Sequence, residues 1–186
     1  MEQLSDNELV AAYLKGQEQA LVILVKRYLG PLYGFAYRYV NNSQTAEDIV
    51  QEAFIKAWRN LKKFKSDKPF KTWLYAIVRN VAIDYLRKQK IIVLSSLDEI
   101  NDDGEYNIQL IDNQPLPLEV FSRAELKEEL TKALNKLPLA QKEVILWHLE
   151  QGFTFQEVAD TLGKSVNTVK SRYLRGLANL RQFLVK

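Results

Sequence analysis

From Ile91 to Ser122 the chain carries seven acids (Asp98, Glu99, Asp102, Asp103, Glu105, Asp112 and Glu119) and neither lysine nor arginine. No other feature restricts the fold as much, because like charge punctuated by turn and breaker residues does not continue a packed element. Asn101-Asp102-Asp103-Gly104 and Pro115-Leu116-Pro117 supply that punctuation. The whole chain holds 26 basic and 23 acidic residues, so setting the seven aside leaves 16 acids against 26 bases, a balance of +10. The reading is of two basic bodies, residues 1–92 and 122–186, joined by an acidic flexible linker over 93–121. The plainer alternative is a solvated surface loop within one domain. Ile91, Ile92, Val93, Leu94, Ile108, Leu110 and Ile111, interspersed in this stretch, suggest that parts of it dock on something.

Composition narrows the function classes. At 47% apolar residues, 186 residues can bury two modest cores or one large one. No run of about 18 uncharged apolar residues is available to span a bilayer. The start, Met1-Glu2-Gln3-Leu4-Ser5-Asp6, lacks the basic and apolar stretches of a secretory signal, so a cytoplasmic location is expected. Without cysteine, and with His148 as the one histidine, a disulfide framework and a structural zinc site are excluded. Neither metal nor cofactor is expected.

Outside the acidic stretch, apolar residues recur at three-and-four spacing and helix starts are frequent, which predicts an all-α protein. Ser5-Asp6-Asn7-Glu8 is a capping box. Gly30-Pro31 is expected to break the next helical stretch and Asn41-Asn42 to end another. Ser43 or Thr45 is the expected cap of a helix reaching about Leu61. Pro69 lies in a loop from Lys62 to Lys71, and Thr72 is the expected cap of a helix reaching about Lys88. Ile91 to Leu94 is β-branched enough to leave a short extended piece open.

The sharpest local signal is Phe153-Thr154-Phe155-Gln156-Glu157-Val158. It combines a capping box (Thr154, Glu157) with a hydrophobic staple (Phe153, Val158) and starts a helix at Phe155. Gly163 can close that helix in the left-handed conformation, and Ser165 can cap the next. Two short helices around a tight glycine turn are the sequence form of a helix-turn-helix. At about 100° per residue, Val169, Tyr173, Leu177 and Leu180 share one side of the second helix, while Ser171, Leu174, Arg175, Ala178 and Gln182 lie opposite. Lys170 falls on the flank. Arg175 is the residue type that reads guanine through paired hydrogen bonds, and Leu174 can rest on a thymine methyl. No acid follows Asp160, so Lys164, Lys170, Arg172, Arg175, Arg181 and Lys186 form the charge footprint of phosphate binding. A merely solvated basic helix is the alternative.

In the first body, Asp48, Gln51 and Glu52 make a polar patch beside Ile49, Phe54 and Trp58 on one helix. Lys56, Arg59, Lys62, Lys63, Lys65, Lys68, Lys71, Arg79, Arg87, Lys88 and Lys90 follow with only Asp67 and Asp84 against them. Phe64, Phe70, Trp73, Tyr75 and Tyr85 are interleaved with these cations, and stacking a base on an aromatic is worth ~1–3 kcal/mol. Trp58 and Trp73 recur at apolar helical positions and read as core.

The blocks Ala46-Glu47-Asp48-Ile49-Val50-Gln51-Glu52-Ala53-Phe54-Ile55-Lys56-Ala57-Trp58, Phe70-Lys71-Thr72-Trp73-Leu74-Tyr75-Ala76-Ile77-Val78-Arg79-Asn80 and Asp84-Tyr85-Leu86-Arg87 closely resemble region 2 of the extracytoplasmic-function (ECF) sigma factors. Phe155-Gln156-Glu157-Val158-Ala159, with Thr168-Val169-Lys170-Ser171-Arg172 and Arg175, resembles their region 4. The resemblance implies a non-enzymatic promoter-recognition subunit of RNA polymerase. It implies that Asp48, Gln51 and Glu52 dock on the clamp helices of the largest polymerase subunit. It implies that the Lys62 to Lys71 loop, with Lys63, Lys65 and Lys71, captures an extruded base of the −10 element while Asn80, Arg87 and Lys88 track the opened strand. Thr168, Lys170, Ser171, Arg172, Leu174 and Arg175 would contact the −35 element. An anti-sigma protein is a further implied partner, and the acidic linker would thread a positively charged polymerase channel.

The chain departs from the family pattern at Asn167 and at Gly176-Leu177-Ala178. Glycine within a helix costs ~1 kcal/mol relative to alanine, which makes Gly176 a candidate bend. A gene-specific helix-turn-helix regulator, usually a dimer on a palindrome, is the runner-up and leaves the region-2 blocks unexplained. A carboxylate-metal nuclease is the reading from another class, and no further catalytic constellation accompanies its carboxylates.

Overall fold

The computed structural model describes residues 1, 3–65, 69–95 and 121–184, with side chains outside 91–95 and 121–127. All regular elements among them are helical. The chain divides into two compact units, Met1–Ile100 and Asn101–Lys186. The expected linker 93–121 lies outside the described residues except at its ends, where helices reach in to Ser95 and begin at Phe121.

The first unit contains α1 (Asp6–Leu14), α2 (Glu18–Val40), α3 (Ser43–Asn60), a 3-10 turn (Leu61–Lys63) and α4 (Phe70–Ser95). Helix α2 is its spine and packs on α1, α3 and α4. Leu24, Leu32, Phe35, Leu74 and Val78 are fully buried among these helices. The rings of Phe35 and Tyr75 meet edge to face at 4.9 Å, a geometry that puts the positive edge of one ring on the negative face of the other. The Ser5 and Glu8 capping box starts α1 as expected. Glu8 accepts from the Ser5 hydroxyl at 2.7 Å and from the Ser5 N–H at 2.8 Å, and these bonds hold its carboxyl below the usual carboxylate range.

Four local expectations are corrected here. Gly30-Pro31 does not break the helix, because Pro31 lies inside α2. Both residues face solvent, whereas Tyr28, Leu32, Phe35 and Ala36 on the same helix are buried. An interior proline costs ~3 kcal/mol, and burying Leu32 and Phe35, at ~1.5–3 kcal/mol each, outweighs it. The cap of α3 is Asn42, whose side chain accepts from the Thr45 N–H at 2.9 Å, in place of Ser43 or Thr45. Asn41 caps the end of α2 in the left-handed conformation, so Asn41 and Asn42 alone separate the two helices. Thr72 is not the residue before α4: it is buried within the helix, which starts at Phe70 and whose Phe70 N–H donates to Asn7 of α1 at 3.2 Å. Finally, Ile91 to Leu94 is not extended, since α4 runs on to Ser95.

The second unit contains α5 (Phe121–Asn135), α6 (Leu139–Ile145) running into a π-helical turn (Leu146–Glu150), α7 (Phe155–Leu162) and α8 (Val166–Leu184). Helix α8 packs on α5, α6 and α7. Trp147 is completely buried and lies 4.9 Å from the Phe153 ring. His148 stacks on Phe155 at 3.9 Å, and its Nδ1 is 2.7 Å from the Phe153 carbonyl. The single histidine therefore joins the π turn to the start of α7.

Both terminal signals of α7 form as read. Thr154 and Glu157 make the capping box, and Gly163 closes the helix at φ 62°, ψ 39°. The staple residues Phe153 and Val158 are buried. Gly176 is not simply a weak point in α8, because it sits buried against α6. A Cβ there would lie 2.7 Å from Ile145 Cδ1 and 3.3 Å from Gln141 Cβ. The close helix-helix approach favours glycine at that position, because any larger residue must displace the end of the Ile145 side chain.

Candidate polymerase and nucleic-acid interfaces

Helix α8 presents the second unit's candidate surface. Val169 and Leu180 are buried and Tyr173 is half-buried against His148 and Phe155, so one side of the helix is committed to the core. On the opposite side Leu174 is 65% exposed, and Arg175, Ala178 and Gln182 are exposed with it. Lys170 is exposed on the flank, while Thr168, Ser171 and Arg172 are half-buried.

Short-range hydrogen bonds order this face. The Ser165 hydroxyl accepts from the Thr168 N–H at 3.1 Å and lies 2.8 Å from the Thr168 hydroxyl. Ser171 donates to the Thr168 carbonyl at 3.0 Å. Arg175 donates from Nε to the Ser171 carbonyl at 3.3 Å and from Nη2 to the Ser171 hydroxyl at 3.2 Å. Ser171 and Thr168 thereby hold the Arg175 guanidinium along the outer face of α8. This ordering reduces the rotamer entropy lost when the guanidinium forms paired bonds.

In the first unit the candidate residues fall into three places. Asp48, Gln51 and Glu52 are exposed on α3 at three-and-four spacing, and Ile55, at 49% exposure, continues the stripe. Glu52 pairs with Lys56 at 2.7 Å. A groove between α3 and α4 is lined by Asp48, Glu52 and Lys56 on one side and Asp84, Tyr85, Arg87 and Lys88 on the other. The structure thus brings two of the three polymerase-docking candidates together with two of the strand-tracking candidates. Tyr85 ties the walls, with its hydroxyl 3.4 Å from Thr45 and accepting from Gln89 at 3.1 Å. Asp84 and Arg87 are 3.6 Å apart. Asn80 is exposed one turn before Asp84 and accepts from Arg79 at 3.1 Å.

Lys63, Lys65 and Lys71 stand apart from that groove, at the start of α4. Lys63 and Lys65 are exposed. Lys71 is half-buried with its Nζ over the Tyr75 ring at 5.7 Å. Sixteen residues separate Lys71 from Arg87, about 24 Å along the helix axis. Lys71 and Arg87 therefore lie far apart along α4, with Asn80 between them.

Of the interleaved aromatics, Phe70 and Tyr75 are buried at 1% exposure and cannot stack on a base. Phe64 and Trp73 are half-buried, with rings 5.2 Å apart, beside Lys63 and Lys65. Trp58, read as core, is also half-buried and stacks on Phe54 at 5.7 Å. Sequence reasoning missed the bond from Asn7 to α4, the contact of Tyr85, read only as a stacking aromatic, with α3, and the packing role of Gly176. For Gly176 a signal was present: it follows Val169 by seven residues, which puts it within about 20° of that buried position. Asn7 and Tyr85 act on residues distant in sequence and carry no local signal. Among the described residues, no set of three or more His, Asp or Glu side chains converges to hold a metal ion. Nor is any of their helices long and apolar enough to cross a membrane.

Residues 24–91 match the Sigma-70 region 2 family and residues 127–180 match Sigma-70, region 4. The chain is 33% identical over 171 residues to the ECF RNA polymerase sigma factor SigW of Bacillus subtilis, covering 91% of each. It is 33% identical over 178 residues to the ECF RNA polymerase sigma-E factor of Escherichia coli K12, covering 94% of this chain and 91% of that one. Among solved structures it is similar to CnrH in complex with the cytosolic domain of CnrY (TM-score 0.69, 27% identity, 96% of both chains). It is also similar to the sigma factor RpoE in complex with the anti-sigma factor NepR from Bartonella quintana (TM-score 0.67, 28% identity, 86% of this chain and 93% of that). With both regions matched in order along an all-helical chain, this protein belongs to the ECF sigma factors of the sigma-70 family.

Proposed function

We propose that this sigma factor, which directs core RNA polymerase to promoters and catalyses nothing itself, divides that work between its two units. The first unit docks on the polymerase clamp helices through Asp48, Gln51 and Glu52 of α3. Its capture site is Lys63 and Lys65 with the half-exposed Phe64 and Trp73, and Asn80, Arg87 and Lys88 follow the opened −10 strand. Promoter opening is then capture: unpairing costs a few kcal/mol, and binding the flipped base offsets it. The second unit lays α8 in the major groove of the −35 element, with Arg175 and Leu174 on base edges and Lys170 and Arg172 on phosphates. The domain limits that go with this reading are 1–92, 93–121 and 122–186, the acidic middle stretch running along a positively charged polymerase channel.

The observation that carries the reading is the outer face of α8, where Leu174 is 65% exposed beside an exposed Arg175 in a segment without acids. Two modest DNA sites carried on one polymerase gain specificity by effective concentration, so the free protein binds promoter DNA weakly. RpoE of Bartonella quintana was solved with an anti-sigma factor, and we read a comparable inhibitor as a partner here. The protein works in the cytoplasm, where the polymerase is.

The test is transcription from a randomised promoter library by purified core polymerase with and without the protein, together with stoichiometric binding to core. New, sequence-selective transcripts are expected, and the double change Asp48→Ala with Glu52→Ala is expected to weaken core binding at least tenfold. Absence of both association and new transcripts overturns the proposal.

A further inference from the structure

Helix α1 contributes nothing to the surfaces just described, yet two adjacent residues of it converge on Phe70, the first residue of α4. Asn7 Oδ1 accepts the Phe70 N–H at 3.2 Å. That N–H belongs to the first turn of α4 and has no acceptor within its own helix, so α1 supplies a cap from 63 residues away in sequence. Asp6 accepts from both the Arg27 guanidinium and the Tyr28 hydroxyl. The Tyr28 ring in turn packs edge to face on the Phe70 ring at 5.9 Å.

Phe70 is the centre of the aromatic cluster at the capture loop. It is 1% exposed, and its ring lies 5.5 Å from Phe64 and 5.6 Å from Trp73. The Leu61–Lys63 turn and the residues after it enter the cluster through Phe64, and α4 leaves it through Trp73. Whatever sets the backbone position and ring orientation of Phe70 therefore sets the two half-exposed rings beside Lys63 and Lys65.

We propose that Asn7 is a positioning residue for promoter opening, fixing the rings of Phe64 and Trp73 beside the capture lysines through Phe70 at the N-terminus of α4, with the Asp6–Tyr28 contact as its brace. The proposal rests on the assignment of Lys63, Phe64, Lys65 and Trp73 as the capture site. Asn7 does not touch DNA; it acts through Phe70. Only the acceptor oxygen is used toward Phe70, so Asn7→Asp preserves the cap and Asn7→Ala removes it. Removing one partner of such a bond leaves a helix-terminal donor to water and weakens the hold on Phe70 by roughly fivefold.

The experiment uses full-length protein in holoenzyme with core polymerase, on a promoter carrying 2-aminopurine at the opened −10 position. Holoenzyme affinity, closed-complex binding and the rate of the fluorescence rise are measured for four proteins: unaltered, Asn7→Ala, Asn7→Asp, and Lys63→Ala with Lys65→Ala. Asn7→Ala is expected to slow opening about fivefold with core affinity and closed-complex binding unchanged, and Asn7→Asp to restore the rate. If the lysine pair slows opening while Asn7→Ala does not, the positioning role is refuted and the capture loop stands. If neither slows opening, the capture loop itself is wrong and this proposal falls with it. If Asn7→Ala weakens core binding and opening equally, or Asn7→Asp fails to rescue, Asn7 is a general stabiliser of the unit and the proposal is also overturned.

Discussion

Replacing Gly176 by alanine tests whether the contact between α8 and α6 is as close as the structure shows. The added methyl would lie 2.7 Å from Ile145 Cδ1, 3.3 Å from Gln141 Cβ and 3.5 Å from Ile145 Cγ1. Carbon atoms in good contact sit about 3.5–4.0 Å apart, so the Ile145 methyl must move by nearly 1 Å. Ile145 is 5% exposed and has packed neighbours on its other sides. Overpacking of this kind costs ~1–3 kcal/mol, while alanine returns ~1 kcal/mol of helix propensity. The net expectation is a loss of about 1 kcal/mol within a range of ~0–2.

The sharper test is the change of sign in a second background. Ile145→Val deletes the clashing Cδ1 and by itself costs ~0.5–1.5 kcal/mol. In that background Gly176→Ala meets no severe contact and becomes neutral or stabilising by up to ~1 kcal/mol. The assay is urea unfolding followed by Trp147, the only tryptophan of the second unit and fully buried, in a Trp58→Phe, Trp73→Phe chain so that it alone reports. Additivity of the two substitutions within ~0.5 kcal/mol would refute the close approach, because residues that do not touch do not couple.

Two further outcomes follow from the described surfaces. Arg175→Ala is expected to cost ~1–3 kcal/mol of discrimination at one base position, whereas Lys170→Ala weakens all sequences alike and lowers the salt slope by about one phosphate; library selection with salt titration separates them. Acid loosens α1: Glu8 is held below its ordinary value by Ser5, so its stabilising effect is full above the unfolded carboxylate range and is lost as pH falls through the lowered value. Ser5→Ala removes the hydroxyl bond and leaves the backbone N–H bond, so it is expected to reduce that acid dependence, read by hydrogen exchange of the α1 amides.

The helix-turn-helix was legible to the residue. Thr154 with Glu157, Gly163 and Ser165 act on backbone groups within four positions of themselves, and such effects survive wherever the segment is placed. The two faces of α8 were equally readable, since a rotation of about 100° per residue is a property of the helix and not of its neighbours. Pro31 was misread for the converse reason: its local cost is real, but burial of Leu32 and Phe35 is larger and is visible only once α3 and α4 are in place. Phe70 and Tyr75, read among cations as stacking candidates, are core for the same cause.

The amino-acid sequence by itself determined the all-helical class, the caps of α1, α7 and α8 and the segregation of charge, because these depend on residues close together along the chain, and its motif blocks carried the resemblance to the family. Tertiary structure alone decided that Asn7 caps α4, that Gly176 admits Ile145, and that Asp48 and Glu52 face Arg87 and Lys88 across one groove. Each of these joins groups more than 30 residues apart, where no backbone period operates and only packing chooses the partner.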